Sequence, residues 1–220
     1  MTLLVSPTAF EAGFLESRAE EAFAFRGRRG LVGPGWRWLE LGVGKVNAAM
    51  TLAAYLEAHP EVRGVLLFGL AGAYPGTGLR LGDLVLASEE VQADLGTRFG
   101  MRALGFPALE VGGRRYYNRF PADPDLTRRL AERLGLRPVP LLTADRVAES
   151  LEEAHERRRR WSAAGENMEG AALAQVALWY RLPWAELRAV SNPAGERRKD
   201  RWDTDAALLA LARAFLRVLE

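Results

Sequence analysis

No cysteine occurs in the 220 residues of the chain. A disulfide framework and thiolate chemistry are thereby excluded. Histidine is nearly as scarce, with 2 in the chain. His59 lies in a loop-like context and His155 in a charged run, and neither has metal-ligand spacing. No metal or organic cofactor is expected. A long hydrophobic run is missing too. No stretch approaches the roughly 20 apolar residues that span a bilayer. The opening MTLLVSPTAFE lacks the basic region and extended apolar core of a signal peptide. The expectation is a soluble, cytoplasmic protein with no membrane partner. Net charge is small, +2 with a calculated pI of about 9.2, which is too mild to point to nucleic acid. Lysine is rare. Only Lys45 and Lys199 stand among 30 basic residues, the rest being arginine. That balance fits a heat-adapted source or a GC-rich genome.

What is present is apolar sequence in alternating periods. With 49% hydrophobic residues the chain can fill the core of one domain, 1–220. Strand-length apolar runs at 2–5, 36–43, 64–72, 83–88, 139–144 and 184–191 alternate with helical patterns at 8–24, 46–58, 124–135, 167–180 and 204–219. Asp203 or Thr204 is placed to cap the last helix. In the pattern over 8–24, Phe10, Phe14, Leu15 and Ala22 share one side, and Glu11 and Glu16 read as first-turn acids favoured by the helix dipole. The Gly-, Arg- and aromatic-rich segment 93–122 reads as a loop over one edge. Alternation of this kind predicts an α/β fold, a three-layer α/β/α sandwich around a central mixed sheet.

Several motifs carry chemistry. LGVGKVNAA (41–49) lacks the spacing of a phosphate loop. Leu39 stands where its first glycine belongs and Val46 where it needs Ser or Thr, so its glycines read as a tight strand-to-helix turn. FGLAGAYPGTGLRLGDLV (68–85) puts Ala71 and Gly72 at a strand end. It is either a plain glycine-rich turn or a backbone open to a ligand. In AAGENMEGAALAQVA (163–177), Glu169 begins a helix of small residues. It is either a surface dipole partner or a buried acid that accepts two hydrogen bonds side by side. HERRRRW (155–161) reads as a solvated helix face balanced by Glu149, Glu152 and Glu153. PWAELRAVSNPAG (183–195) ends a buried strand on the polar pair Ser191 and Asn192, after which Pro193 cannot continue a ladder. In open α/β sheets that edge binds ligands.

In order along the chain, GVGKVNAA, GLAGAYPGTGLRLGDLV, TAD (143–145), NMEGAALAQV and RAVSN resemble the nucleoside phosphorylase/nucleosidase family, and its hydrolytic branch in particular. The resemblance implies a nucleoside-phosphorylase-like sandwich acting on a small-molecule nucleoside without a cofactor. By motif it implies that Glu11 is the general base that activates water. Glu169 would grip the ribose hydroxyls with Met168 against the sugar face. Val147 would lie near the purine plane and Trp202 over the far end of the nucleoside. Asn167, Ala71, Gly72 and Ser191 fall on the same substrate site. Members generally assemble as dimers or larger oligomers, and the first strands with the 46–58 helix offer a seam.

Two departures from the family pattern matter. The phosphorylases hold phosphate with an arginine and a serine at the places of Leu67 and Leu70. A phosphate site without them lacks charge-assisted donors, which favours hydrolysis. Adenosine-type nucleosidases carry an aspartic acid where this chain has Asn192. Asn presents N–H donors, which suit the N7 and 6-oxo acceptors of hypoxanthine and suit adenine poorly. Asn192 therefore acts on the leaving base by hydrogen bonding and not by giving up a proton. Behind it, Arg197, Arg198, Lys199 and Arg201 form either a solvated loop or a cation site for a substrate carboxylate. A phosphorylase, an adenosine-type nucleosidase, a non-catalytic nucleoside-binding protein and a basic RNA-binding module are the rival readings.

Overall fold

In the first strand, Leu3 and Val5 face one side of a sheet and Leu4 the other, and all three are buried. A strand apolar on both faces belongs at the centre of a sheet covered on both sides. The computed structural model describes residues 1–219, and β1 (Thr2–Ser6) lies between two parallel partners. These are β4 (Trp36–Glu40) and β5 (Gly64–Ala73). Beyond β4 come β3 (Arg28–Gly33) and the edge strand β2 (Glu21–Phe25), both antiparallel. Beyond β5 come β12 (Trp184–Pro193), β6 (Leu84–Gln92), β10 (Val139–Thr143) and β11 (Gly165–Asn167). The last of these turns back to pair with β5. Five strands thus close on themselves, and the interior of that ring lies under the carboxyl ends of β5 and β12.

Helices cover both faces. Helices α1 (Lys45–Ala58) and α4 (Gly170–Trp179) pack with Leu3, Val5, Leu39 and Val65. On the other side α2 (Pro124–Leu134) and α5 (Thr204–Val218) cover Leu4, Leu66 and Phe68. Helix α3 (Leu151–Trp161) joins a smaller cluster with Tyr74, Leu142 and Ala144. The architecture is the expected three-layer sandwich with a mixed sheet. Its helices start where the sequence provides caps. Asp123 accepts from Leu126 N–H at 2.8 Å, with Pro124 at the first helical position, and Asp203 accepts from Ala206 N–H at 2.9 Å. Both satisfy amides that a helix leaves unpaired at its start.

Some expectations are corrected. Residues 8–24 are not one helix. A turn leads into a short 3-10 helix, Gly13–Arg18, and the chain then extends as β2. Phe23 and Phe25, two apart, both pack on Tyr55 with ring centroids 6.3 and 5.1 Å away, which is strand periodicity. Arg26 and Gly27, both at positive φ, make the two-residue turn into β3 that hairpins require. Ala22 is exposed, and so is Phe10. Segment 93–122 contains a 3-10 turn and three short strands, β7 (Leu109–Val111), β8 (Arg114–Tyr116) and β9 (Arg119–Pro121). The arginine run on α3 is not wholly solvated. Arg157 turns inward to Glu153 at 2.7 Å and Glu166 at 3.0 Å. Pro193, expected not to continue a ladder, is paired with Ala73 as the last residue of β12, past a bulge at Ser191 that shifts the register after Val190. Such a bulge re-aims the side chains that follow it.

Candidate active site

Strand β12 alternates, and its two faces differ in kind. Ala185, Leu187 and Ala189 pack toward α5. Glu186 and Arg188 point the other way, into the ring of strands, and are buried. Their period of two puts an ion pair on one face of the strand, with Arg188 Nε 2.7 Å from Glu186 Oε1. Arg188 Nη1 also donates to Leu70 O at 3.2 Å, and Nη2 donates to Asn167 Oδ1 at 3.2 Å and to Glu169 Oε2 at 3.3 Å. Burial works against its charge, but Glu186, Glu169 and Glu11 together outweigh that and hold the guanidinium firmly protonated.

Above this arginine two carboxylates form the floor of a cleft. Glu11 hangs from the loop after β1. Ser6 fixes that loop by donating to Thr8 O at 2.8 Å and accepting from Trp38 Nε1 at 2.9 Å. Glu11 Oε1 accepts the Leu70 N–H at 3.0 Å, and Oε2 accepts the Thr8 N–H and hydroxyl at 3.0 and 2.7 Å. Burial raises its pKa above the ordinary carboxylate range, against the opposing pull of Arg188 and of these hydrogen bonds. A carboxylate shifted this way is a stronger base. Glu169 stands at the entry to α4. It accepts the Gly44 N–H at 3.0 Å through one oxygen and faces Arg188 with the other. It is buried and so is not a surface partner of the helix dipole. Gly44 sits at φ 85° before α1, a conformation that favours glycine.

The cleft has a volume of about 390 Å³. Glu11, Ala71, Gly72, Val147, Asn167, Met168, Glu169, Ser191, Asn192 and Trp202 all line it, so the structure brings together the residues that the family resemblance assigned to the substrate site. Leu70 lines it too and presents its backbone, while Leu67 is buried in the core. At the mouth, the Ser191 hydroxyl donates to Asn192 Oδ1 at 3.0 Å and so fixes the amide. One Asn192 N–H is turned onto Pro193 O at 3.0 Å. A single N–H of Asn192 is left for a ligand, where two were expected. Trp202 donates to Glu196 O at 2.9 Å, and the Arg197 guanidinium lies 5.7 Å from the centre of its ring. Arg198, Lys199 and Arg201 are exposed on the neighbouring turn.

Among the described residues, four buried charged groups escaped the sequence reading: Arg188, Glu186, Glu90 and Glu166. The signal was there. WAELRAV places an acid and a base two apart inside an otherwise apolar strand, which a fully buried strand tolerates only if they pair. Lys45 was also passed over. Its ammonium lies 2.6 Å from Asp94 and 2.9 Å from Asp145, tying the start of α1 to the TAD loop and holding Asp145 below the usual carboxylate range despite some burial. Among the described residues no group of three or more His, Cys, Asp or Glu side chains is arranged to hold a metal ion.

The sequence profile of the Phosphorylase superfamily matches residues 18–220. A futalosine hydrolase from Thermus thermophilus is 58% identical over 219 residues, covering 100% of this chain and 95% of that one. A 5'-methylthioadenosine/S-adenosylhomocysteine nucleosidase from Geobacillus kaustophilus is 34% identical over 166 residues, 72% of this chain and 67% of that one. Among solved structures, a futalosine hydrolase mutant from Helicobacter pylori superposes with a TM-score of 0.82 at 20% identity, covering 99% of this chain and 97% of that one. The chain belongs to the phosphorylase superfamily and, within it, to the futalosine hydrolase family.

Proposed function

We propose that the chain hydrolyses the N-ribosidic bond of futalosine, releasing hypoxanthine. The observation that carries the reading is the placement of Glu11, desolvated and made more basic, beside Glu169 and Arg188 on the floor of a cleft whose rim holds Asn192. Water entering there meets a positioned proton acceptor. A phosphate ion would meet two carboxylates and an arginine already shared among carboxylates, so phosphorolysis is disfavoured by charge.

The roles follow from the contacts. As the carbon–nitrogen bond loosens, the sugar takes on oxocarbenium character. Glu169 accepts from the ribose hydroxyls, and Met168 packs on the sugar face. Glu11 takes a proton from the attacking water. The free N–H of Asn192 donates to the base edge that carries N7 and the 6-oxo oxygen, and this bond strengthens as negative charge grows on the leaving base. Val147 and Trp202 bound the purine and the far end of the nucleoside. Arg197, stacked on Trp202, meets the carboxylate of the substrate's aromatic arm. Its replacement by alanine raises KM for futalosine and not for inosine if that assignment holds. The proposal extends to a cytoplasmic enzyme of an alternative menaquinone route. It also extends to a homo-oligomer, for which the exposed Val46 and Met50 on α1 form an apolar stripe one turn apart. Light scattering tests that association.

The activity is tested by chromatography of the base freed from futalosine, inosine and methylthioadenosine. Hypoxanthine from futalosine supports the reading. Adenine from methylthioadenosine overturns the role of Asn192, and stoichiometric binding with no base released leaves a nucleoside-binding protein.

A further inference from the structure

Beneath the cleft, inside the ring of strands, lies a second pair of carboxyl groups that the proposed reaction does not use. Glu90 on β6 and Glu186 on β12 are both fully buried. They meet over Gly170, the first residue of α4. A Cβ at that position would overlap Glu90 Oε1 and Glu186 Oε2 together, so the missing side chain makes the room for the pair. Glu90 has polar partners on every side. Thr143 Oγ1 on β10 donates to its Oε2 at 2.6 Å, and Asn167 Nδ2 on β11 donates to its Oε1 at 2.6 Å. Glu186 divides its oxygens. Oε1 holds Arg188 at 2.7 Å, while Oε2 is buried without a donor when both acids are ionised.

Charge balance requires a proton here. Glu11, Glu90, Glu169 and Glu186 gather around Arg188, the one buried cation among the described residues. Two carboxylates in contact away from water do not both ionise. A proton on Glu90 supplies the donor that Glu186 Oε2 lacks. Burial first, and the neighbouring Glu186 second, push Glu90 well above the carboxylate range, with Thr143 and Arg188 opposing.

We infer that Glu90 and Glu186 share one proton as a sealed pair whose net charge partly cancels Arg188 and so keeps Glu11 basic. Both are positioning residues that act through Arg188. The inference rests on the reading of Glu11 as the proton acceptor. The groups that set Glu11 are then Arg188, which stabilises its ionised form, Glu169, which opposes it, and the hydrogen bonds from Leu70 and Thr8. Glu186 enters by sharing Arg188. With Glu186 neutral, more of the positive charge falls on Glu11, and its ionised form persists to lower pH.

The test compares Glu186→Gln with Glu90→Gln in the full chain. In Glu186→Gln the acid limb of kcat/KM shifts to lower pH, so that below the wild-type midpoint the variant retains a several-fold larger fraction of its maximum. In Glu90→Gln the midpoint stays in place, because Glu90 is already the neutral member. It loses stability, since the Asn167 amide and an amide at position 90 compete for the same contact. An unmoved midpoint in Glu186→Gln, or a shift in Glu90→Gln alone, overturns the inference. Infrared spectra need neither variant to be active. The wild type at neutral pH shows the carbonyl band of a protonated carboxylic acid, and Glu90→Gln lacks it; a wild type without that band also overturns the pair. If the wild type releases no base from any nucleoside, it is the proposed activity that fails, and the band still reports on the shared proton.

Discussion

Glu11 Oε1 and Arg188 Nη1 flank the space where a side chain on Gly69 would stand, 2.6 and 2.7 Å from that point. A glycine in the middle of a central strand therefore lets an acid and a base from distant parts of the chain converge. Gly69→Ala drives them apart without needing a forbidden backbone angle. The expected result is a fall in kcat/KM of about 10²-fold, the usual consequence of misplacing a reacting group by an ångström, in a protein that still folds. Steady-state kinetics and circular dichroism check it together.

Glu11→Gln keeps the shape of the side chain and removes the proton acceptor. Turnover falls by about 10²- to 10⁴-fold, as expected for the loss of a general base, while substrate binding measured by calorimetry is retained. A near-normal rate contradicts the assignment of Glu11.

Asn192→Asp exchanges a fixed amide for a carboxyl group. An ionised carboxylate accepts only and faces the acceptors of a 6-oxopurine, so kcat/KM for futalosine falls by roughly 10- to 100-fold, in line with one unpaired buried polar contact. A protonated one donates to N7 and accepts from a 6-amino group. The ratio of adenine to hypoxanthine nucleoside hydrolysis rises as pH is lowered, which competition between the two substrates measures directly.

Glu90 couples proton uptake to folding. Its pKa in the folded chain is raised, while an unfolded glutamate sits near about 4.3. The folded state then binds the extra proton between those two limits, so the Glu90 contribution is full below the unfolded pKa and is lost as pH rises through the folded one. Glu90→Gln removes that slope. The gap in melting temperature between wild type and variant is widest in mild acid and narrows as pH rises. A constant gap contradicts the protonated state of Glu90.

Much of the site was legible because its residues interrupt apolar patterns. Ser191 and Asn192 end a buried strand, and Glu169 opens a helix of alanines. What the helix and strand periods missed were local reversals. The turn at Arg26 and Gly27 makes a hairpin of what reads as the second half of a helix, because Phe23 and Phe25 find Tyr55 on α1, a partner far along the chain. The bulge at Ser191 was hidden for a similar reason, since Pro193 looks like a terminator until Ala73 is seen opposite it. Arg188 and Glu186 were legible as an acid and a base two apart in an apolar strand; what no local pattern announces is the return of β11 to pair with β5, which closes the ring that buries them with Glu90.

The central claim is hydrolysis, and the most direct test is futalosine with the purified protein in phosphate-free buffer. The account predicts free hypoxanthine at the full rate, unchanged when phosphate is added. Release that requires phosphate and yields a sugar phosphate would contradict it.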